Sequence, residues 1–220
     1  MTRQPLIVFD YDGTLHHSLP LYRSALEQVM QEMNALGLNP QGVLTERKIT
    51  RWLGMTPDQM WREFMPGLDP DLQRRFSRDI GQWMVRKTGQ LGGLYDDVEE
   101  TLLVLRNRGW RLMILSNAKQ AYLDAHRQTF GLDRFFDGYL AAEAFGYLPK
   151  WKIYRNIERN EAVTQLVVGD RLDDVIAGVR NGVPVVGCGY GYGDRLELYG
   201  ANIRIEQFSE LLDLTENFSQ

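Results

Sequence analysis

The stretch from Leu6 to Leu15 constrains the fold of this chain more than any other, because it joins an apolar run to two closely spaced acids. Residues 6–9 are all apolar and predict a buried strand, and Asp10 and Asp12 follow it directly. Acids at the carboxyl end of a buried parallel strand lie in the crevice where open α/β sheets bind ligands. Because acids this close repel each other, we expect a divalent cation, a shared proton or an ammonium beside them. An ordinary Asp-Gly turn is the alternative.

The composition of the 220 residues is that of an ordinary globular protein, with 44% hydrophobic and 25% charged residues. The net charge of −4 gives no electrostatic reason to bind nucleic acid or an anionic membrane. Cys188 is the single cysteine, which excludes an internal disulfide and leads us to expect a cytoplasmic location. Asp10 interrupts the first apolar run too early for a signal peptide, and no run approaches the roughly 20 residues of a membrane span.

Residues 16–90 predict helices and no strand. Apolar residues recur every three or four positions between Leu19 and Leu36, and Gly37 is placed to end that helix. Two further helix starts are predicted where Thr56 and Asp69 each precede a proline. The segment therefore predicts three or four helices, inserted after the first strand as a cap over the acids.

From Asp96 onward the predicted helices and strands alternate, which favours an α/β fold with a doubly wound parallel sheet. The predicted strands cover residues 111–115, 166–168 and 183–186. The predicted helices cover residues 97–108, 119–130, 150–160 and 173–181. The expected domains are an α/β core made of residues 1–15 and 91–220, and a helical cap made of residues 16–90.

Polar residues also follow two of the later strands. Ser116 and Asn117 come after one of them, and both are preferred helix-capping residues as well. Asp170, Asp173 and Asp174 come after another, which is more acids than capping needs. We therefore expect these side chains at the same edge of the sheet as the first two acids.

Lys150 and Lys152 lie at the start of a predicted helix, the end at which the helix dipole disfavours a cation. A lysine placed there suggests nearby acids or a phosphate, and an ordinary exposed lysine is the alternative. The pattern does not choose between the two lysines.

Together these motifs resemble those of the haloacid dehalogenase (HAD) superfamily, in the same order over almost the whole chain. The matching motifs are Asp10-Tyr-Asp12-Gly-Thr-Leu15, Leu115-Ser116-Asn117, Lys150, and Gly169-Asp170 with Asp174. The helical insertion and the glycine-rich residues 185–193 are similar to the phosphoglycolate-phosphatase-like branch. The resemblance implies a Rossmann-like core, an inserted helical cap and phosphoryl-transfer chemistry.

The resemblance also implies a role for each motif residue. Asp10 is expected to attack phosphorus and form an aspartyl-phosphate, and Asp12 to act as general acid and base. Ser116 and the backbone of Asn117 are expected to bind phosphoryl oxygens. Lys150 is expected to neutralise Asp10 and the transferring group.

Magnesium is the expected cofactor, because it prefers oxygen ligands and phosphate substrates. Its expected ligands are a carboxylate oxygen of Asp10, the backbone carbonyl of Asp12, and Asp170. Asp174 is expected to position the lysine or a metal-bound water.

The third motif departs from the family pattern. The branch usually reads Lys-Pro-x-Pro, which places its lysine at Leu148 of this chain. Lys150 lies two residues later and Lys152 is a rival. We prefer Lys150, since it lies nearer the expected position.

Two further departures concern charge around the site. The branch usually has a hydrophobic residue and then Asp-Ser after the first motif, where this chain has His16, His17 and Ser18. Neighbouring side chains on an extended chain diverge, so a transition-metal site at the histidines is not favoured. Arg171 replaces the usual small residue after Asp170.

The protein is expected to be a magnesium-dependent phosphatase of a small phosphorylated metabolite. Phosphoglycolate-like compounds are the first choice of substrate. A phosphomutase of the same fold, similar to β-phosphoglucomutase, and a catalytically silent small-molecule binding module are the alternatives. A carbon–halogen hydrolase is disfavoured, because that branch lacks the second acid and Asp12 is present. Within the loop Trp52 to Thr56, Gly54 and Met55 are the candidate substrate-binding residues, with a plain turn between helices as the alternative.

Overall fold

The computed structural model describes residues 4–38, 40, 44–157 and 165–216. Its strands are β1 (Leu6–Phe9), β2 (His16–His17), β3 (Gly93–Leu94), β4 (Arg111–Ser116), β5 (Gly138–Ala141), β6 (Gln165–Gly169), β7 (Val185–Cys188) and β8 (Ile203–Ile205). Its α-helices are α1 (Leu19–Ala35), α2 (Glu46–Trp52), α3 (Pro57–Phe64), α4 (Pro70–Lys87), α5 (Val98–Asn107), α6 (Gln120–Thr129), α7 (Lys150–Ile153), α8 (Leu172–Val179) and α9 (Leu211–Glu216).

Six strands form one parallel sheet in the order β5-β4-β1-β6-β7-β8. Strand β1 lies between β4 and β6, and all four of its residues are buried, as expected for a central strand covered on both faces. The order confirms the predicted α/β fold. Because the strands run in the same direction, the residues that follow β1, β4 and β6 meet at one edge of the sheet, where the strand order reverses and such sheets bind ligands.

The predicted core strands correspond to β1, β4, β6 and β7, but β5 and β8 were not predicted. Both are short edge strands, and they lack the fully buried apolar run that identified the others. The helix predicted over residues 150–160 is shorter than expected. Helix α7 ends at Ile153 and continues as a 3₁₀ turn, Tyr154–Asn156, while residues 158–160 lie outside the described part of the chain.

Four helices, α1 to α4, lie between strands β2 and β3. The chain enters this helical segment through His16–His17 and returns to the α/β core through Gly93–Leu94. These two strands pair with each other in the antiparallel direction. The prediction that residues 16–90 contain no strand was therefore wrong at β2, which is only two residues long. Within the described ranges, this segment contributes no strand to the six-stranded sheet.

Three helix boundaries of this segment, the end of α1 and the starts of α3 and α4, lie where the sequence predicts them. Thr56 accepts a hydrogen bond from the backbone of Gln59, whose side chain accepts from the backbone of Thr56 in return. Asp69 accepts from the first backbone N–H groups of α4. Gly37 follows α1 with a φ of 73°, which favours glycine. No helix among the described residues is long and apolar enough to cross a membrane.

Candidate active site

Three buried carboxylates meet at the carboxyl edge of the sheet. Asp10 follows β1, Asp170 follows β6, and Asp174 lies in the first turn of α8. One ligand oxygen of each lies within 4.8 Å of the others. The structure therefore brings together three acids that are separated by up to 164 positions in the sequence, from residue 10 to residue 174.

Lys150 bridges two of these acids. Its Nζ donates to Oδ1 of Asp10 at 2.5 Å and to Oδ1 of Asp174 at 2.7 Å, and its side chain is only 3% exposed. Burial disfavours the ammonium, but the attraction of the two carboxylates outweighs burial and raises the pKa of Lys150 above its ordinary value. Lys152 is exposed and lies over the ring of Trp151 instead. The geometry thus places Lys150, not Lys152, beside the acids.

Asp170 is fixed by the loops around it. Its Oδ1 accepts from the Thr14 hydroxyl at 3.3 Å, and its Oδ2 accepts from the backbone N–H of Tyr192 at 2.7 Å. A side chain at Gly13 would collide with this carboxylate, since a Cβ there would lie 2.4 Å from Oδ2 of Asp170. The glycine of the first motif thus permits the close approach of the two loops.

The donor set of this cluster fits a hard divalent cation. Burial, followed by repulsion from Asp10 and Asp174, raises the pKa of Asp170 well above its ordinary value. Burial also raises the pKa of Asp174, although Lys150 opposes the shift. Within the described residues, the lysine beside these acids forms ion pairs with Asp10 and Asp174 and not with Asp170. Carboxylate oxygens are the ligands that Mg²⁺ prefers, so Asp10 and Asp170, with Asp174 beside them, can hold this ion.

Asp12 has different surroundings from Asp10. It is half-buried, and its Oδ1 accepts hydrogen bonds from the hydroxyl of Ser18 and, at 2.6 Å, from the hydroxyl of Tyr122. Burial raises the pKa of Asp12 to about 6, while the bonds from Ser18 and Tyr122 lower it and the charge of Asp10 raises it. A carboxyl with this pKa can exchange a proton near neutral pH, as a general acid and base must.

A buried histidine supports this arrangement. The Ser18 hydroxyl has one hydrogen, which it donates to Asp12, so the 2.7 Å bond between His16 Nδ1 and Ser18 Oγ has the histidine as donor. The His16 ring stacks on Tyr11 at 5.5 Å and is fully buried, whereas His17 is exposed. The two histidines therefore point into different surroundings.

Ser116 and Asn117 follow β4 at the same edge. The Ser116 oxygen accepts from the backbone N–H of Ala118 at 3.1 Å, which leaves the hydroxyl hydrogen available to a ligand. The side chain of Asn117 donates to the Gly54 carbonyl at 2.8 Å and to Asp173 at 3.1 Å. The Asn117 side chain therefore connects the helical segment with the core.

A cavity of about 120 Å³ joins the acids to the helical segment. Gly54 and Met55 line it together with Asp10, Asp12, Ser116 and Asn117, so the structure brings the predicted loop to the predicted acids. Helices α1 to α4 contribute a largely apolar wall, made of Tyr22, Trp52, Met60, Ile80 and Met84. The cavity is smaller than the roughly 300–1,000 Å³ pockets of drug-sized ligands, which favours a small ligand.

Tyr122 is a site residue that the sequence reasoning missed. It lies in the first turn of α6, the helix that follows Ser116 and Asn117, and its ring is buried among the aromatic residues beside Asp12. Its position in the sequence could have indicated this role. Residues in the first turn of a helix that follows β4 lie at the same edge of the sheet as Ser116 and Asn117.

Comparison with known proteins identifies the family of this chain. A family model described as haloacid dehalogenase-like hydrolase matches residues 7–188. A phosphoglycolate phosphatase of Colwellia psychrerythraea is 25% identical over 225 residues, covering 96% of this chain and 97% of the relative. A phosphoglycolate phosphatase of Vibrio parahaemolyticus is 26% identical over 229 residues, covering 97% of this chain and 98% of the relative.

Solved structures share the fold. A predicted phosphatase from Clostridium acetobutylicum superimposes with a TM-score of 0.82 at 21% identity, covering 98% of this chain and 100% of that one. A predicted phosphoglycolate phosphatase from Haemophilus somnus gives a TM-score of 0.80 at 24% identity, with the same coverage. At these identities the likeness establishes the common architecture.

Proposed function

Because the chain belongs to the haloacid dehalogenase-like hydrolase family, we propose that this phosphoric monoester hydrolase acts on a small phosphorylated metabolite through an aspartyl-phosphate on Asp10. The observation that carries the proposal is the contrast between the two acids of the first motif. Asp10 is buried in ionic contact with Lys150. Asp12 accepts hydrogen bonds from hydroxyl groups instead and has a raised pKa. The pair thus combines a nucleophile held by an ammonium group with a proton donor and acceptor.

The first step is attack by a carboxylate oxygen of Asp10 on phosphorus, which breaks the bond to the leaving oxygen. Asp12 in its protonated form gives its proton to that oxygen. In the second step Asp12 takes a proton from water, and the water oxygen attacks the aspartyl-phosphate to release phosphate and regenerate Asp10. The Ser116 hydroxyl and the backbone of Asn117 hold the phosphoryl oxygens, and Lys150 balances the charge on the transferring group.

Asp10, the backbone carbonyl of Asp12, and Asp170 would hold Mg²⁺, with Asp174 fixing Lys150 beside them. When bound, this ion supplies positive charge to the phosphoryl oxygens and to the acids that otherwise repel the substrate.

Phosphoglycolate-like compounds are our first choice of substrate. The small cavity favours a small metabolite, and Gly54 and Met55 line the same cavity as Asp10 and Asp12. The curated relatives named above are phosphoglycolate phosphatases. The buried, unpaired Cys188 is compatible with a reducing compartment, and we place the enzyme in the cytoplasm.

We also propose that residues 16–90 act as a cap that closes over the substrate, with residues 1–15 and 91–220 as the core. The support is the pairing of β2 with β3, which brings the two ends of this segment together, and the cavity wall that helices α1 to α4 provide. Closure excludes water during the first step and completes the substrate site.

The proposal is tested by phosphate release from p-nitrophenyl phosphate and from a panel of small phosphorylated metabolites, with Mg²⁺ and with excess EDTA. We expect turnover with Mg²⁺ and a preference for the phosphate ester of a small carboxylic acid. Turnover should be lost in EDTA and restored when excess Mg²⁺ is added. Full turnover in EDTA contradicts the metal assignment. Isomerised hexose phosphates without phosphate release would identify a mutase, and the absence of both reactions would identify a binding module.

A further inference from the structure

Helix α2 ends against a side chain of the core, the guanidinium of Arg171. Nη1 of Arg171 donates to the carbonyl of Thr50 at 3.1 Å and to the carbonyl of Leu53, and Nη2 donates to the carbonyl of Arg51 at 3.4 Å. Carbonyl groups at the C-terminal end of a helix have no partner within that helix. A cation at this end also interacts favourably with the helix dipole. One arginine of the core therefore completes the end of α2.

Arg171 is held in this position from the core side. Its Nε donates to Glu197 at 2.9 Å, and the same oxygen of Glu197 accepts from the backbone N–H of Leu172 at 3.2 Å. The Arg171 side chain is 11% exposed. Charge-assisted bonds at both ends of a planar guanidinium fix its orientation, so this arginine is unlike a mobile surface side chain.

The loop after α2 has a second core contact, from Asn117 to the Gly54 carbonyl. Gly54 has a φ of +86°, and a Cβ at this position would lie 3.3 Å from Cγ of Arg171. The missing side chain at Gly54 thus leaves room for the arginine. Core side chains bind the carbonyls of Thr50, Arg51, Leu53 and Gly54.

These contacts join the loop to the segment that carries the acids. Arg171 follows Asp170 directly, and its backbone N–H donates to Oδ2 of Asp174 at 3.0 Å. The loop residues Trp52, Leu53, Gly54 and Met55 line the cavity, whereas Arg171 is not among the described residues that line it. Arg171 therefore acts on the cavity through the loop and not by touching a ligand.

Resting on the proposed phosphatase function, we infer that Arg171 is a positioning residue that holds the substrate-binding loop, residues 52–56, against the acids by binding the carbonyl end of helix α2. Without it, the hydrogen bonds from the core to the loop in the described part of the chain reduce to that of Asn117. Part of the free energy of substrate binding is then used to order the loop. Loss of Arg171 should therefore weaken substrate binding more than it slows the chemical step.

The experiment compares wild type with Arg171→Met by amide hydrogen exchange and by steady-state kinetics on p-nitrophenyl phosphate. The amides of Leu53 and Met55 are bonded to carbonyls of Ile49 and Trp52 and report on the loop. We expect their exchange to accelerate at least about tenfold, because hydrogen bonds from a charged donor are among the stronger ones. We expect KM to rise by about tenfold with a smaller change in kcat, whereas a loss of folded protein lowers the maximal rate and leaves KM unchanged.

The matched control is Arg23→Met. Arg23 contacts the same helix through Glu46 at 3.2 Å, but this ion pair is exposed and both residues belong to the helical segment, so exchange and KM should stay near wild type. Glu197→Ala should change both readouts in the direction of Arg171→Met, by less, and it decides the question if Arg171→Met does not fold.

Unchanged exchange in a folded Arg171→Met protein, or faster exchange with unchanged KM, overturns the inference. If wild type hydrolyses no phosphate ester, the proposed function fails instead, and the exchange experiment still decides whether Arg171 holds the loop.

Discussion

Replacing Lys150 with methionine removes the only lysine that contacts the buried acids in the described part of the chain. The substitution keeps an unbranched side chain one atom shorter but leaves Asp10 and Asp174 without their ammonium partner. Removing one member of a buried ion pair typically destabilises a protein by about 3–5 kcal/mol, because the other charge stays buried and uncompensated. At roughly 2–4 °C per kcal/mol for a protein of this size, the melting temperature should fall by about 6–20 °C.

The assay is urea and thermal unfolding at about pH 8 in EDTA, so that no cation substitutes for the ammonium. Phosphate release is measured in Mg²⁺. Lys152→Met is the matched control, because this lysine is exposed two positions away. We expect Lys152→Met to stay within about 0.5 kcal/mol of wild type and to keep its activity, and Lys150→Met to lose activity.

The stability deficit of Lys150→Met should also depend on pH. Lys150 attracts the ionised form of Asp174 and opposes the rise of its pKa, so the pKa of this acid rises further in the variant. An acid whose pKa is higher in the folded than in the unfolded state binds its proton more tightly when folded, and the folded state gains stability as pH falls. The deficit should shrink between about pH 8 and about pH 5.5. Equal effects of Lys150→Met and Lys152→Met would refute the assignment.

Three further predictions concern Asp12 and His126, a buried residue of α6 whose Nδ1 lies 2.9 Å from the Tyr11 hydroxyl oxygen. Tyr122→Phe removes the 2.6 Å hydrogen bond to Asp12 and should slow hydrolysis of an alkyl phosphate by about 10–100-fold. Hydrolysis of p-nitrophenyl phosphate should slow less. Equal losses on both substrates would contradict a role of Tyr122 in proton transfer by Asp12. Asp12→Asn should lose about 10²–10⁴-fold on the alkyl phosphate, with the same sparing of p-nitrophenyl phosphate, whose leaving group needs no proton. Burial lowers the pKa of His126 to about 3. Because the unfolded chain binds this proton more tightly, the free energy of unfolding is highest above about pH 6.5 and falls as the pH falls. The loss from this histidine should be about 2 kcal/mol at pH 5. His126→Phe should remove this part of the pH dependence in urea unfolding, and an unchanged slope would count against the neutral buried histidine.

The sequence predicted the site best where chemistry follows directly from a buried strand. Strands β1, β4 and β6 are apolar runs that end in Asp10, Ser116 and Asp170, so locating the strands also located the polar residues. The parallel sheet then requires these ends to meet. Edge strands β5 and β8 lack such runs, and pattern reasoning therefore missed them.

Helical periodicity also distinguishes the two candidate lysines. Lys150, Ile153, Tyr154 and Ile157 have the spacing of one helix face, and all four are buried, whereas Lys152 is off that face and exposed. A lysine on an apolar face needs buried acids as partners. Comparing the two lysines with the helix face gives a second reason to prefer Lys150, independent of the family spacing.

The contacts of Arg171 could not be predicted in this way. Its partners Thr50, Arg51 and Leu53 lie about 120 positions away in the sequence, and they are backbone carbonyls, which have no residue-specific signal. Only the departure from the usual small residue after Asp170 marked the position. The effect of an arginine at position 171 depends on where helix α2 ends in the folded structure.

The most direct test of the proposed function is phosphate release from p-nitrophenyl phosphate in Mg²⁺ by wild type and by Asp10→Asn, measured on protein shown to be folded. Every step of the proposed reaction passes through a bond between an Asp10 oxygen and phosphorus, which an amide at this position does not form. We predict turnover by wild type and none by Asp10→Asn with this or any other phosphate ester. Near-normal turnover by Asp10→Asn would contradict the aspartyl-phosphate and, with it, the assignment of roles in the site.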